Sequence, residues 1–147
     1  MAIPSEGKLS YARLIKHNVR LNGLTSLIYA RGLSSARFIE YKTTLEWLRE
    51  HAMLRGSAMK VLDVGCGCSL FPSLLKNEGY DVTALDLNKN SMVWQKKKGD
   101  KLRVSAYYVM GNGFTLPFRD CSFDSVVSIS ALEHIVADSQ TVIEMIR

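Results

Sequence analysis

Several absences narrow the reading of this 147-residue chain before any motif does. No run of eighteen or more apolar residues occurs, so no segment has the length and character of a membrane-spanning helix. The N-terminus lacks the apolar core of a signal peptide, because charged and polar residues interrupt it from Glu6 to Asn22. Cysteine is scarce: Cys66, Cys68 and Cys121 are an odd number and too few for a disulfide framework. A reducing cytoplasm is the setting this predicts. Internal repeats and low-complexity segments are also missing. What remains is 47% hydrophobic and 22% charged, the balance of an ordinary globular domain long enough to bury a core.

Charge is present but uneven. The net value is +5. Residues 1–60 hold ten Lys and Arg against four acids, and residues 61–147 hold nine against ten. The basic surplus therefore belongs to the N-terminal part. It favours an anionic partner in principle, but scattered lysines and arginines on helices read first as a solvated face. The run Lys96–Lys98 reads the same way. No nucleic-acid motif accompanies either, so a nucleic-acid partner is not expected, although basic N-terminal helices on phosphates stay a third hypothesis.

Periodicity divides the chain in two. Tyr11, Ile15, Val19, Leu24, Leu27 and Ile28 recur at helical spacing with breaks at Gly23 and Gly32, predicting a helical extension over residues 1–34. A clearer helix runs from Ser35 to Leu54, with Phe38, Tyr41, Leu45 and Leu48 as its apolar seam, Ser34 or Ser35 as cap and Gly56 at its end. The aromatics Tyr29, Phe38, Tyr41 and Trp47 at this spacing read first as core packing, with a pocket lining as the alternative. From residue 60 strands and helices alternate: "KVLDV", then "SLFPSLLKNEG" with Pro72 in a first helical turn, "YDVTALDL", "NKNSMVWQKKKG" as a helix or a long turn, "RVSAYYVMGN", a loop, "FDSVVSIS", and a helix opened by "ALEHIVADSQTVIEMIR". Such alternation predicts parallel strands with right-handed crossovers in a doubly wound, Rossmann-like α/β sheet over residues 35–147.

The informative stretch is "VLDVGCGCSLFPSLL", Val61 to Leu75. Gly65 and Gly67 let the backbone turn sharply and approach a ligand. Free N–H groups at the helix start favour an anionic group, and Asp63 can accept from an ammonium. The dinucleotide fingerprint fails here, because its third glycine falls on Leu70. No phosphate-binding Gly-x-x-x-x-Gly-Lys loop exists. Cys66 and Cys68 lack a second pair, so they do not make a closed zinc site, and no metal is expected. Cys68 reads as a packing residue.

Asp63-x-Gly65-x-Gly67-x-Ser69 resembles motif I of the class I S-adenosyl-L-methionine (SAM)-dependent methyltransferases, of the type 11-like domain. The third position, often glycine there, is Ser69 here. Three further segments match in order: "ALDLN" with Asp86 at a strand end, "GNGFTLPFRDCSFDSVVS", and "SALEHI". The lead-in helix "FIEYKTTLEWLREH" also resembles the family's. The resemblance implies that Asp86 accepts both ribose hydroxyls, with Leu87 beside it. It places Asn112, where many members carry an acid in a Gly-Asp-Ala triplet, against the adenine amino group, next to Gly113. It also implies cofactor contacts at Asp63, Gly65, Cys66, Gly67 and Ser130.

The reaction implied is transfer of an already activated methyl, for which the protein chiefly positions the partners. Binding residues are therefore legible and catalytic ones are not. His134 is the candidate base, as histidine is the side chain that changes charge near neutral pH; a structural helix-start role for Glu133 and His134 competes. The acceptor expected by family analogy is a small molecule or lipid-like. Family members usually continue past "VIEMIR" into a fifth strand, so the resemblance implies a sheet ordered 3-2-1-4 with strand four at an edge. That predicts a fragment of a larger enzyme, a homodimer paired through the edge, or a shortened, non-catalytic SAM-binding module.

Overall fold

The computed structural model describes Lys16 and residues 35–55, 58–136 and 138–147. The helices expected over residues 8–33, Ser34 as a cap, Tyr29 and Gly56 lie outside these residues, as does the 1–34 extension apart from Lys16.

Helix α1 spans Ser35–Arg55. Its buried side is Tyr41, Leu45, Leu48 and Ala52, at the spacing that places residues on one face. Phe38 packs against that seam, while Trp47 is half exposed and lies tilted against the His51 ring, with centroids 3.9 Å apart. Trp47 thus leaves the expected aromatic core stripe, being on the solvent side of α1.

Strand β1, Lys60–Val64, leads through the glycine turn to α2, Phe71–Asn77. Pro72 sits in the first turn of α2, where its missing N–H costs no helical bond. Strand β2 is Asp81–Asp86 and helix α3 is Lys89–Leu102. Asn88 caps α3, its Oδ1 accepting from the N–H groups of Asn90 and Ser91 at 3.0 and 3.3 Å. Strand β3 is Tyr107–Met110, β4 is Ser125–Val127, and helix α4 is Asp138–Ile146. All pairings are parallel, in the order β3-β2-β1-β4, so β4 lies at an edge as expected. The α/β fold class is the one read from the sequence.

Paired residues share a face of the sheet. On one face Val61, Val82 and Val127 meet Tyr41, Leu45, Phe71 and Leu75 from α1 and α2; the rings of Tyr41 and Phe71 stack at 4.9 Å. On the other, Leu62, Val64 and Leu85 meet Leu116, Phe118, Phe123 and Met145.

Three elements are shorter or more broken than the sequence suggested. β3 is confined to the residues opposite Thr83–Asp86. β4 ends at Val127, one register position before β1 does; Ser128 bonds instead through its side chain, Oγ donating to the Val64 carbonyl at 2.9 Å. "ALEHIVADSQTVIEMIR" is not one helix: a 3-10 turn at Leu132–His134 ends in extended backbone at Ile135, φ −102°, before α4 begins.

Candidate cofactor site

The glycine turn lies at the carboxyl edge of the sheet, where open α/β folds bind ligands. Gly65 has φ +75° and Gly67 φ +49°, in the left-handed region that a Cβ disfavours. At Gly65 space forbids a side chain as well: a Cβ would stand 2.5 Å from that of Ala131.

Five N–H groups of the turn are engaged within the chain, so less of a free cradle is left than expected. Gly65 and Cys66 donate to the Leu85 carbonyl at 2.8 and 3.1 Å. Gly67 donates to Asp86 Oδ2 at 2.7 Å, Ser69 to the Cys66 carbonyl at 3.0 Å, and Phe71 to Ser69 Oγ at 3.3 Å. The turn is thus zipped onto the end of β2. Asp86 Oδ1 accepts from Asn88 N at 2.8 Å. A carboxylate offers about four acceptor sites, so Asp86 keeps lone pairs on both oxygens for two hydroxyls.

Beside Asp86 opens a cavity of about 480 Å³, within the size range of small-molecule sites. Gly65, Gly67, Asp86, Leu87, Asn112, Gly113, Ser130 and His134 line it, so most of the expected site residues converge. Asn112 Oδ1 accepts weakly from Phe114 N at 3.4 Å and keeps acceptor capacity. Two expected residues are not on the wall. Cys66 is buried with Ala84 and Met92, and burial pushes its thiol pKa up. Asp63 lies beneath the turn and is 2% exposed. Burial, then the nearby Asp86 charge, pushes its pKa up to about 7. Cys68, expected to pack, is instead exposed, its Sγ 3.4 Å from Ser91 Oγ; the packing role belongs to Cys66. His134 is largely exposed at the rim, 4.0 Å from Glu133.

Positioning groups that no motif announced surround the site. Gln95, buried on α3, donates from Nε2 to the carbonyls of Gly67 at 3.1 Å and Ser69 at 2.5 Å. Its place on the buried side of α3 with Met92 was the available signal. Glu40 accepts from Ser130 Oγ at 2.7 Å, and Arg37 donates to the Ile129 carbonyl at 3.2 Å. These bonds hold Ser130 at φ +47°. Ninety positions separate the partners, so no local signal existed. Phe114, Ile135 and Val136 complete an apolar wall.

A smaller cavity of about 270 Å³ near β4 and Arg147 holds none of the site residues singled out above. Among the described residues no cluster of His, Cys, Asp and Glu could hold a metal, and no helix is long and apolar enough to cross a membrane.

A parallel sheet in this order, with a glycine turn and a strand-end acid at its carboxyl edge, defines a Rossmann-like nucleoside-binding class. The solved structures agree on the fold. Monomeric WbdD covers 71% of this chain and 27% of its own, at 18% identity and a TM-score of 0.64. The YcgJ protein of Bacillus subtilis covers 63% and 42%, at 21% identity and a TM-score of 0.55. A family model described as "Methyltransferase domain" matches residues 62–147, and the chain belongs to that family. Its members are SAM-dependent methyltransferases.

Among the relatives, a malonyl-[acyl-carrier protein] O-methyltransferase of Erwinia pyrifoliae is 36% identical over 88 residues, 60% of this chain and 32% of that protein. A sterol 24-C-methyltransferase of Gibberella zeae is 39% identical over 83 residues, 52% and 21%. An 18S rRNA (guanine-N(7))-methyltransferase of Schizosaccharomyces pombe is 31% identical over 85 residues, 55% and 30%. The chain spans about a third or less of the length of these relatives.

Proposed function

We propose that this chain binds SAM and serves methyl transfer to a small, apolar or lipid-like acceptor. The observation that carries the reading is the Asp86 carboxylate, fixed by Gly67 and Asn88 at the lip of a cavity with acceptor capacity to spare. When bound, the cofactor supplies an activated sulfonium methyl. Asp86 would accept from the ribose hydroxyls, Asn112 from the adenine amino group, and Asp63, buried beneath the turn, would act on the ammonium charge at a distance. Ser130, held by Glu40, shapes the wall where acceptor and cofactor meet. What the protein contributes is orientation and exclusion of water.

The apolar wall of Phe114, Ile135 and Val136 supports an apolar acceptor. The sterol named for one relative is of that kind. The relatives' names are all methyltransferases, which supports transfer over a purely regulatory module. His134 at the rim is the candidate base. If it is one, His134→Ala lowers kcat with cofactor affinity intact, whereas unchanged turnover removes that role.

The deciding experiment is calorimetric titration of the chain with S-adenosylhomocysteine beside an Asp86→Ala variant. Micromolar binding, lost in the variant, is expected. No binding by a folded chain overturns the reading. Transfer from labelled SAM to candidate acceptors then tests catalysis.

A further inference from the structure

The outer face of α3 combines charge and exposed apolar area. The helix carries five lysines and one acid, Asp100. Its buried side is Ser91, Met92, Gln95 and Gly99. Opposite run two stripes at four-residue spacing: Lys89, Val93, Lys97 and Lys101, then Asn90, Trp94 and Lys98. Val93 is 45% and Trp94 36% exposed. Among the described residues, Lys96 is ion-paired, with Asp100 at 3.2 Å, while Lys89, Lys97 and Lys101 have no acidic partner. Helix α1 differs: Arg37, Lys42, Arg49 and Arg55 are each ion-paired. At the start of α3, Leu87 is 70% exposed and forms the cavity lip with the exposed Val136. The charged face and the cavity mouth are therefore continuous.

We propose that this face docks on an anionic phospholipid bilayer, with lysines on the headgroup phosphates and Leu87, Val93 and Trp94 entering the headgroup boundary. Lysine stems reach to the polar side while apolar groups sink, and a helix lying in the interface gains from both terms. RNA fits less well. Lys98 lies over the Trp94 ring at 5.7 Å, covering a face on which a base would stack. Leu87 and Val93 offer a phosphate backbone nothing. The surface stands without the methyl-transfer reading; combined with it, the cavity mouth opens toward the membrane.

The test uses the full chain with vesicles of phosphatidylcholine alone and of phosphatidylcholine mixed with phosphatidylglycerol. Sedimentation with the anionic vesicles only is expected, weakened by salt. Lys97→Gln with Lys101→Gln should reduce partitioning about 30-fold, from the ordinary contribution of each lysine near such a surface. Both substitutions are at exposed positions and should leave folding intact, as circular dichroism will check. In a Trp47→Phe background, Trp94 fluorescence should shift to the blue with anionic vesicles. No partitioning at low salt overturns the proposal. So does partitioning that the lysine variant leaves unchanged, or an unshifted Trp94. Binding of an RNA oligonucleotide, lost in the lysine variant with vesicles ignored, assigns the face to nucleic acid instead.

Discussion

Asp86 accepts the Gly67 N–H at 2.7 Å across nineteen positions of sequence. With Asn88 on its other oxygen, one carboxylate ties the turn, the end of β2 and the start of α3 together. Asp86→Asn preserves shape but turns an amide NH₂ toward one of these two donors. A stability loss of about 1–3 kcal/mol is expected, with weaker S-adenosylhomocysteine binding. Thermal unfolding and calorimetry on the same variant check both effects.

Gly65 is constrained twice, by φ +75° and by Ala131. Gly65→Ala should lose about 2–4 kcal/mol, from left-handed backbone strain and overpacking together. Adding Ala131→Gly removes the clash but not the strain, so recovery in a denaturant titration should be partial. Full recovery would show that the backbone conformation carries no cost.

Asp63 makes stability depend on pH. Its native pKa, raised to about 7, lies above the usual carboxylate value of 3.8. Between these the native chain holds a proton that the unfolded chain has released. Stability therefore falls as pH rises from about 4 to about 7 and levels off above. Cofactor affinity runs the other way, because an ammonium favours ionised Asp63. S-adenosylhomocysteine should bind tighter as pH rises toward 7 and level off above it, by roughly tenfold for each unit by which binding lowers that pKa. Asp63→Asn should flatten both profiles, read by thermal melts and titrations across this range.

Gln95 donates to both the Gly67 and Ser69 carbonyls. Gln95→Met keeps the volume and leaves both carbonyls without that donor. A destabilisation of about 1–3 kcal/mol is expected, with looser cofactor binding. Gln95→Glu should be worse, because a carboxylate faces two carbonyl oxygens. Hydrogen exchange at Ser69, whose N–H is bonded to Cys66 O, should quicken in both variants.

Much of this architecture was legible in local pattern. The strands β1 and β2 are short apolar runs bounded by turns, and the seam Tyr41, Leu45 and Leu48 announces its helix. Gly65, Gly67 and Asp86 stood out because a sharp turn and a strand-end acid need those residue types. The ends of β3 and β4 were not legible, since a strand stops where its neighbour stops offering partners. Cys66 and Cys68 looked alike in sequence, yet one packs and the other is exposed; the twist of the turn decides which.

Sequence alone determined the alternation of strands and helices and the place of the glycine turn. These follow from side-chain periodicity and from backbone conformations that few residues tolerate. Tertiary structure decided that the N–H groups of Gly65, Cys66 and Gly67 are bonded to β2, that Gln95 and Glu40 support the site, and that Asp63 is buried beneath it. Each joins residues from distant parts of the chain, and only folding sets their distance and their exposure to water.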